Sequence, residues 1–549
     1  MTINTPGGQP IKVNVVGSSS FGRYNKISSE STYNMFISTS EGENPEAWLV
    51  NFPGYKRVFE LLPAGEGRGI FRSIRGNFIL VVVNSSVFRM NPILGAILIG
   101  TLASSSGEVF IDENLNNQIC IVDGINAYIY NHSLPPNLTI QALGPGTLIP
   151  NYVTYHNTFF LFGNGDTTGA GASWFAYSFA TPTTIVQATE LALQTKPDYA
   201  IAVVRIPGQS AQVLVFGTAV CEVQTQVGGL QNYRRNNTIS IDYGCLSVET
   251  IDAADQYIAW LGVNESNGPV IMIYSGQGAQ PISSDGIDYL MGKLKFPEES
   301  TAMFTRVDGH LFYQLTFFND ADNITLVFDF NTKKFFNLSD QHMNYHPARD
   351  YAYLNQRIFM LSLNNASLYE FSSDITVIDE NIPPTPISPG YDPNLVFDMQ
   401  RIRITENIQQ DDTDKFIVNY LVLPIEQGND PRVTGLSLNV INNIITESFF
   451  VPPETDIITE QGFDIVDEDS WLGLPAYVIP YQPRVDLSIS LDSGITWSNT
   501  VGRELNPVGL RKNILNWNKL GACNCITYKF RFWGMDRFVV NNAVMEIYS

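Results

Sequence analysis

Long apolar runs are missing from this chain of 549 residues. The longest candidate, Ile93–Leu102, falls well short of the ~18 apolar residues that a membrane-spanning helix needs, so no membrane insertion is expected. Cysteine is scarce, with five residues in the whole chain. Cys523 and Cys525 stand too close for a C-x-x-C motif, and an odd, scattered set implies no disulfide framework, which predicts folding in a reducing compartment. Basic charge is also short: 32 Lys and Arg against 54 Asp and Glu give a formal charge of −22. The basic pairs Arg234-Arg235, Lys333-Lys334 and Arg511-Lys512 are isolated, which argues against a clamp on DNA phosphates. An acidic surface past which DNA slides remains compatible with this balance. Helical periodicity is sparse, and its best instance, Ala188–Lys196, would make about two and a half turns. The opening MTINTPGGQP has neither a basic nor an apolar leader region, so no secretory signal is expected.

What the chain does contain is a repeated pattern: an apolar strand, a tight polar turn, a second apolar strand. It recurs at Asn77–Met90, Asn117–Tyr130, Asn157–Tyr177, Gln212–Thr225, Gln256–Tyr274, Gly309–Phe330 and Gln356–Phe371. The starts step by roughly 40 to 55 residues, the spacing of four-stranded propeller blades. Asn84-Ser85, Asp123-Gly124, Asn331-Thr332 and Asn364-Asn365 supply residue types that tolerate the left-handed turn conformation. The expected fold is all-β: a β-propeller of about seven blades, with six as the alternative count, followed by a C-terminal β-sandwich-like domain.

The expected boundaries are 1–65 for an N-terminal segment closing the propeller, 66–372 for the propeller, 373–394 for a proline-rich linker and 395–549 for the C-terminal β domain. Prolines 383, 384, 386, 389 and 393 stiffen the linker and remove backbone donors. Leu395–Ile404, Phe416–Leu423, Ser437–Ile445, Val485–Leu491, Ile526–Trp533 and Phe538–Tyr548 read as strands, with an excursion near 409–483. Near the N-terminus, Phe52-Pro53-Gly54 marks a turn between apolar runs.

Few motifs carry chemistry. Ser490, Asp492, Gly494, Thr496 and Trp497 match the Asp-box pattern, which resembles the hairpins of sialidase propellers. Its physics is a structural turn: Asp caps amides, Gly takes positive φ, and Trp packs beneath. His342 and His346 have the i, i+4 spacing of a helical metal pair, but no third ligand accompanies them. Gly163, Gly165, Gly169 and Gly171 read as a hairpin loop, because no Lys-Ser/Thr follows to make a phosphate cradle. No catalytic, cofactor-binding or metal residues are assigned, and no enzyme activity is expected.

Several segments, in order, resemble the packaged-DNA stabilisation proteins of short-tailed phages. They are Tyr33-Asn34-Met35-Phe36, Asn51–Arg57, Arg68-Gly69-Ile70, Val215–Val223, Asp242–Cys245, Ala259–Gly262, Val270–Ser283, Leu487–Trp497 and Asn516–Gly521. The resemblance is collinear over nearly the whole chain, and the excursion near 409–483 is longer than in compact members. It implies a virion structural protein of podoviruses, assembled in the host cytoplasm: the tail nozzle, or hub. Such a nozzle would be a homo-hexamer beneath the head-to-tail adaptor ring, holding a needle or plug and supporting tailspikes or fibres. It would retain packaged DNA and let it exit through a lumen without specific binding. The alternative is a glycan-binding or sialidase-like propeller, suggested by the Asp box and by 25 Tyr, 33 Phe and 7 Trp that could stack on sugars.

Overall fold

The computed structural model describes residues 8–22, 30–40, 46–91, 95–143, 148–166, 173–228, 232–266, 268–381, 395–409, 415–428, 483–505, 512–534 and 537–548. They form two compact units. One comprises Arg57–Asp340 and Asn344–Ser372, the other Met1–Lys56, Gln341–Met343 and Ser373–Ser549.

The first unit is a propeller. Seven antiparallel sheets follow one another, with innermost strands Gly67–Ser73, Phe110–Glu113, Pro150–His156, Ala202–Arg205, Asp252–Ala254, Ser300–Val307 and Ala348–Leu354. We number the blades one to seven in that order. Each repeated segment read from the sequence supplies the second and third strands of one blade. The turn into each second strand needs a left-handed residue. It is Asn77, Asn117, Asn157, Asp255, Asp308 and Asn355 in six blades, each with φ between 49° and 59°, and Gly208 at 75° in blade four. Asn and Asp accept this conformation at low cost, so one residue type recurs at one place in the repeat.

Packing between blades explains the continuous apolar runs. On Phe78–Val83, the residues Phe78, Leu80 and Val82 face blade two, where they meet Ile119, Ile121 and Tyr130. The alternate residues Ile79, Val81 and Val83 face blade seven, where they meet Phe359, Leu361 and Leu368. A strand buried on both faces keeps no polar alternation. Each such side chain contributes about 1.5–3 kcal/mol of burial. The contact between blades one and seven also closes the ring. Blade seven takes its outermost strand from the chain's start, through Gly54–Glu60, and Leu61 N donates to Ala366 O at 2.8 Å.

The second unit is a sandwich of two sheets. One orders Gln9–Val13, Ala543–Tyr548, Phe416–Gly428, Arg537–Val540, Ala47–Asn51 and Met35–Thr39, with Lys512–Cys523 also paired to Phe416–Gly428. The other contains Ser31–Tyr33, Arg401–Ile404, Cys525–Trp533, Arg484–Ser490 and Val501–Glu504. Val13, Met35, Leu421, Trp517 and Met545 meet Val485, Leu487, Phe530 and Phe532 in one core.

The segment 1–65 is therefore divided. Its strands up to Asn51 pair with C-terminal strands, and the end of Gly54–Glu60 closes the ring. The helical expectation at Ala188–Lys196 is corrected. Thr184–Ala192 is an outer strand of blade three, with Glu190 opposite Phe175 and Leu191 opposite Trp174. Cross-strand pairing outweighs the weak helical propensity of Ala-Thr-Glu-Leu-Ala. The α-helix among the described residues is Asp285–Met291. Gly163, expected in a loop, lies within the strand Phe159–Asn164, and a Cβ there would sit 2.2 Å from Ile201 O of blade four. Gly169, Gly171, Ser437–Ile445 and most of the excursion near 409–483 lie outside the described residues.

Candidate functional site

One guanidinium joins the segments that lead into the innermost strands of several blades. Arg349, at the start of blade seven's innermost strand, is 1% exposed. Its Nη2 donates to Glu66 Oε1 at 2.7 Å, and its Nη1 to Glu249 Oε2 at 2.9 Å and Glu108 Oε2 at 3.3 Å. Its Nε donates to Gly67 O at 3.2 Å. One side chain thus ties together elements of blades one, two, five and seven. Burial works against the Arg349 charge, but Glu108, Glu249 and Glu66 outweigh it and hold its pKa above the ordinary value. Burial, with Glu249 alongside, raises the Glu108 carboxyl well above the usual range.

Other innermost-strand carboxylates brace neighbouring blades. Asp112 Oδ2 accepts Tyr155 N at 2.6 Å, and Asp252 Oδ2 accepts Phe304 N at 2.6 Å. Burial raises Asp112, lifts Asp252 to about 6, and raises Asp350, with Asp252 adding to the last. Arg68, fully buried, donates to Gly107 O, Asn84 O, Ser104 O, Ser104 Oγ and Ser106 O, at 2.6–2.9 Å. The motif Arg68-Gly69-Ile70 is thereby a loop organiser.

Several titratable side chains of the propeller pair with one another across strands. Glu113 lies between Ser73, whose Oγ donates at 2.8 Å, and His132 at 3.1 Å. A carboxylate in the middle cannot serve as the orienting third group of a nucleophile–His–acid relay. His156 Nδ1 meets Tyr233 OH at 2.8 Å, and His310 Nδ1 meets Asp329 at 2.9 Å. His346 is fully buried, and burial pushes its pKa down to about 3. Its Nδ1 lies 3.3 Å from Gln314 Nε2 and accepts from Ala348 N at 3.4 Å. Among the described residues no group of three His, Cys, Asp or Glu could hold a metal ion.

The Asp box folds as a hairpin in the second unit. Ser490 Oγ donates to Asp492 Oδ1 at 2.6 Å, and Thr496 N donates to the same oxygen at 2.8 Å. Thr496 Oγ1 donates to Asp492 Oδ2 at 2.5 Å, and Gly494 adopts φ 91°. These donors hold the Asp492 carboxyl near a pKa of about 2. Asp492→Ala should leave the sandwich folded and expose the tip, read as faster proteolytic nicking between Ser490 and Trp497.

The other motif also lies in this unit. Phe52 N donates to Asn34 O at 2.9 Å, Pro53 follows, and Gly54 N donates to Ile375 O at 2.6 Å. A Cβ on Gly54 would lie 2.2 Å from Val377 O, a backbone atom that cannot swing aside. Gly54→Ala should destabilise this unit by about 1–3 kcal/mol, measured by denaturant unfolding.

The sandwich carries a basic and aromatic face whose cations are not consecutive in sequence. In Cys525–Trp533, Phe530 and Phe532 point into the core while Lys529, Arg531 and Trp533 take the other face and are half-buried. The Lys529 ammonium lies 5.4 Å from the centre of the Trp497 ring. The Arg531 and Arg484 guanidiniums lie 4.2 and 5.5 Å from the Trp533 ring. Trp533 Nε1 donates to Asp486 Oδ2 at 2.7 Å. The signal available in the sequence was the period-2 string Lys-Phe-Arg-Phe-Trp.

A family described as bacteriophage P22 Gp10, β-propeller, matches residues 24–376. No curated protein matches the chain. Among solved structures, virginiamycin B lyase from Staphylococcus aureus aligns with 11% identity, over 56% of this chain and 95% of its own, at a TM-score of 0.39. The WD40 propeller domain of Doa1 aligns with 8% identity, over 59% of this chain and 98% of its own, at a TM-score of 0.36.

Proposed function

The chain belongs to the bacteriophage P22 Gp10 β-propeller family of packaged-DNA stabilisation proteins, and from that premise we propose that it is a structural virion protein forming the tail nozzle. The observation that carries this reading is the family match, which spans the propeller nearly end to end. The nozzle would sit below the head-to-tail adaptor, retain the packaged genome and provide its exit path. No catalytic role is part of this reading.

Arg349 supports a specific form of it. A duplex cannot pass between segments where a guanidinium meets Glu66, Glu108 and Glu249 within 3.3 Å. The exit path would therefore lie between copies of the chain, in a ring. Obligate ring interfaces commonly bury more than ~2,000 Å², enough to resist internal pressure until release. The formal charge of −22 would keep passing DNA from adhering over most of the surface.

The test is reconstitution with DNA-filled heads that carry the adaptor but lack this chain. A symmetric collar at the vertex, with improved DNA retention, is the expected result. Absence of binding with unchanged leakage would overturn the reading.

A further inference from the structure

Among the described residues, two cations on the basic face have no ion pair of their own, although Asp486 lies across from Arg531 in the sheet. Lys529 and Arg531 make no ion pair among the described residues, in a chain where acidic residues outnumber basic ones. Arg531 is held by Gln400 Oε1, a neutral acceptor, at 2.8 Å. The nearby carboxylates are engaged elsewhere: Asp486 with Trp533 and with Arg484 at 3.4 Å, and Asp398 with Arg401 at 3.1 Å. Burial and mutual repulsion with Arg531 depress the Lys529 pKa. Burial likewise depresses that of Arg531, with Asp486 and Asp398 opposing and Arg484 adding to the shift. Half-buried like charges side by side cost stability, and an incoming anion would relieve that cost.

We infer that the face carrying Lys529 and Arg531 binds the phosphodiester backbone of duplex DNA without reading its sequence. The choice of DNA rests on the nozzle reading and on geometry. Lys529 and Arg531, two residues apart on one strand, project from points about 7 Å apart. That is close to the through-space distance between neighbouring phosphates on one strand, where each ~3.4 Å axial step is combined with a rotation about the helix. Arg484 pairs directly across from Trp533 on the adjacent strand, where Asp486 already holds it. The guanidiniums and the ammonium are held over Trp533 and Trp497, so less side-chain entropy is lost on binding. Ser488, paired across from Lys529, presents a hydroxyl of the kind that contacts phosphate oxygens. Two contacts on an otherwise acidic chain make a weak, salt-sensitive hold that positions DNA and lets it slide.

The experiment is fluorescence anisotropy of a labelled 20-base-pair duplex titrated with the full chain at 50 and 200 mM salt. Two phosphate contacts predict a loss of affinity of about 12-fold between those concentrations. The variant Lys529→Gln/Arg531→Gln should bind more weakly at 50 mM and lower the salt slope by about 2. Arg306→Gln and Lys512→Gln, which remove cations already paired with Asp255 and Glu426, should bind as the parent does. Matching thermal unfolding curves establish that the double variant is folded, and Lys529→Gln alone, expected to lower the slope by about 1, serves if it is not. No binding at 50 mM, equal weakening by the control variants, or displacement of DNA by polyglutamate at equal charge would each overturn the inference. Collar formation on heads is scored with the same preparations. A collar without DNA binding removes only this inference, and DNA binding without a collar removes the nozzle reading.

Discussion

Arg349→Met is expected to destabilise the propeller by about 3–5 kcal/mol, the cost typical of removing one partner from a buried charge network. The substitution keeps most of the side chain's volume, so the effect reads electrostatics more than packing. Three carboxylates, Glu66, Glu108 and Glu249, would then face one another with no cation among them. Gly67 O would lose its donor as well. Because Arg349 holds blades one, two, five and seven at once, the loss should appear as one cooperative shift of the propeller's transition. Chemical denaturation followed by tryptophan fluorescence measures it.

The companion substitution separates charge from contact. Glu108 is held above its ordinary pKa by burial and Glu249, and Thr301 Oγ1 donates to it at 2.9 Å. Glu108→Gln keeps an acceptor for Thr301 while removing a carboxyl whose charged form burial and Glu249 disfavour. It should be neutral or mildly stabilising near pH 7, opposite in sign to Arg349→Met. If both substitutions destabilise equally, the hub acts by shape and its charge balance is unimportant.

Period-2 alternation and turn chemistry made the blades legible in the sequence. Asn77, Asn117 and Asn157 each announce a left-handed turn, and strands such as Phe78–Val83 announce burial on both faces. The sandwich was half legible. Its C-terminal strands could be read, but the pairing of Gln9–Val13 with Ala543–Tyr548 joins the two ends of the chain, and no local pattern encodes so distant a partner. Arg349 was illegible for the same reason, since Glu66, Glu108 and Glu249 reach it only when the ring closes. The thin helical reading of Ala188–Lys196 failed because the outer strand of a blade has few buried positions, so its composition carries little strand signal. The face of Lys529, Arg531 and Trp533 is encoded as an alternating string, in which strand geometry rather than adjacency gathers the charges.

Mild acidification is expected to stabilise the propeller, with a maximum near pH 5. Asp252 carries the clearest contribution, since burial lifts it to about 6 from an ordinary value near 3.8. A carboxyl whose folded-state pKa is raised prefers to stay protonated in the fold. Between the two values the folded chain binds the proton that the unfolded chain has released, so stability falls as pH rises through that window. A shift of this size corresponds to about 1–3 kcal/mol, present below pH ~4 and lost above pH ~6. Asp112, Glu108 and Asp350 are raised as well and act with the same sign. Asp123 and Asp198 act with the opposite sign. Each is held below its ordinary value by amide and hydroxyl donors that outweigh burial, so their contribution is lost as pH falls below about 4. Thermal unfolding at pH 5.0 should therefore give a higher Tm than at pH 7.5 or at pH 3.0. Asp252→Asn, which keeps an oxygen to accept Phe304 N, should raise the Tm at pH 7.5 and narrow its difference from pH 5.0. A Tm that climbs steadily from pH 5.0 to 7.5 would mean that the carboxyls on the innermost strands are ionised and solvated in the folded propeller.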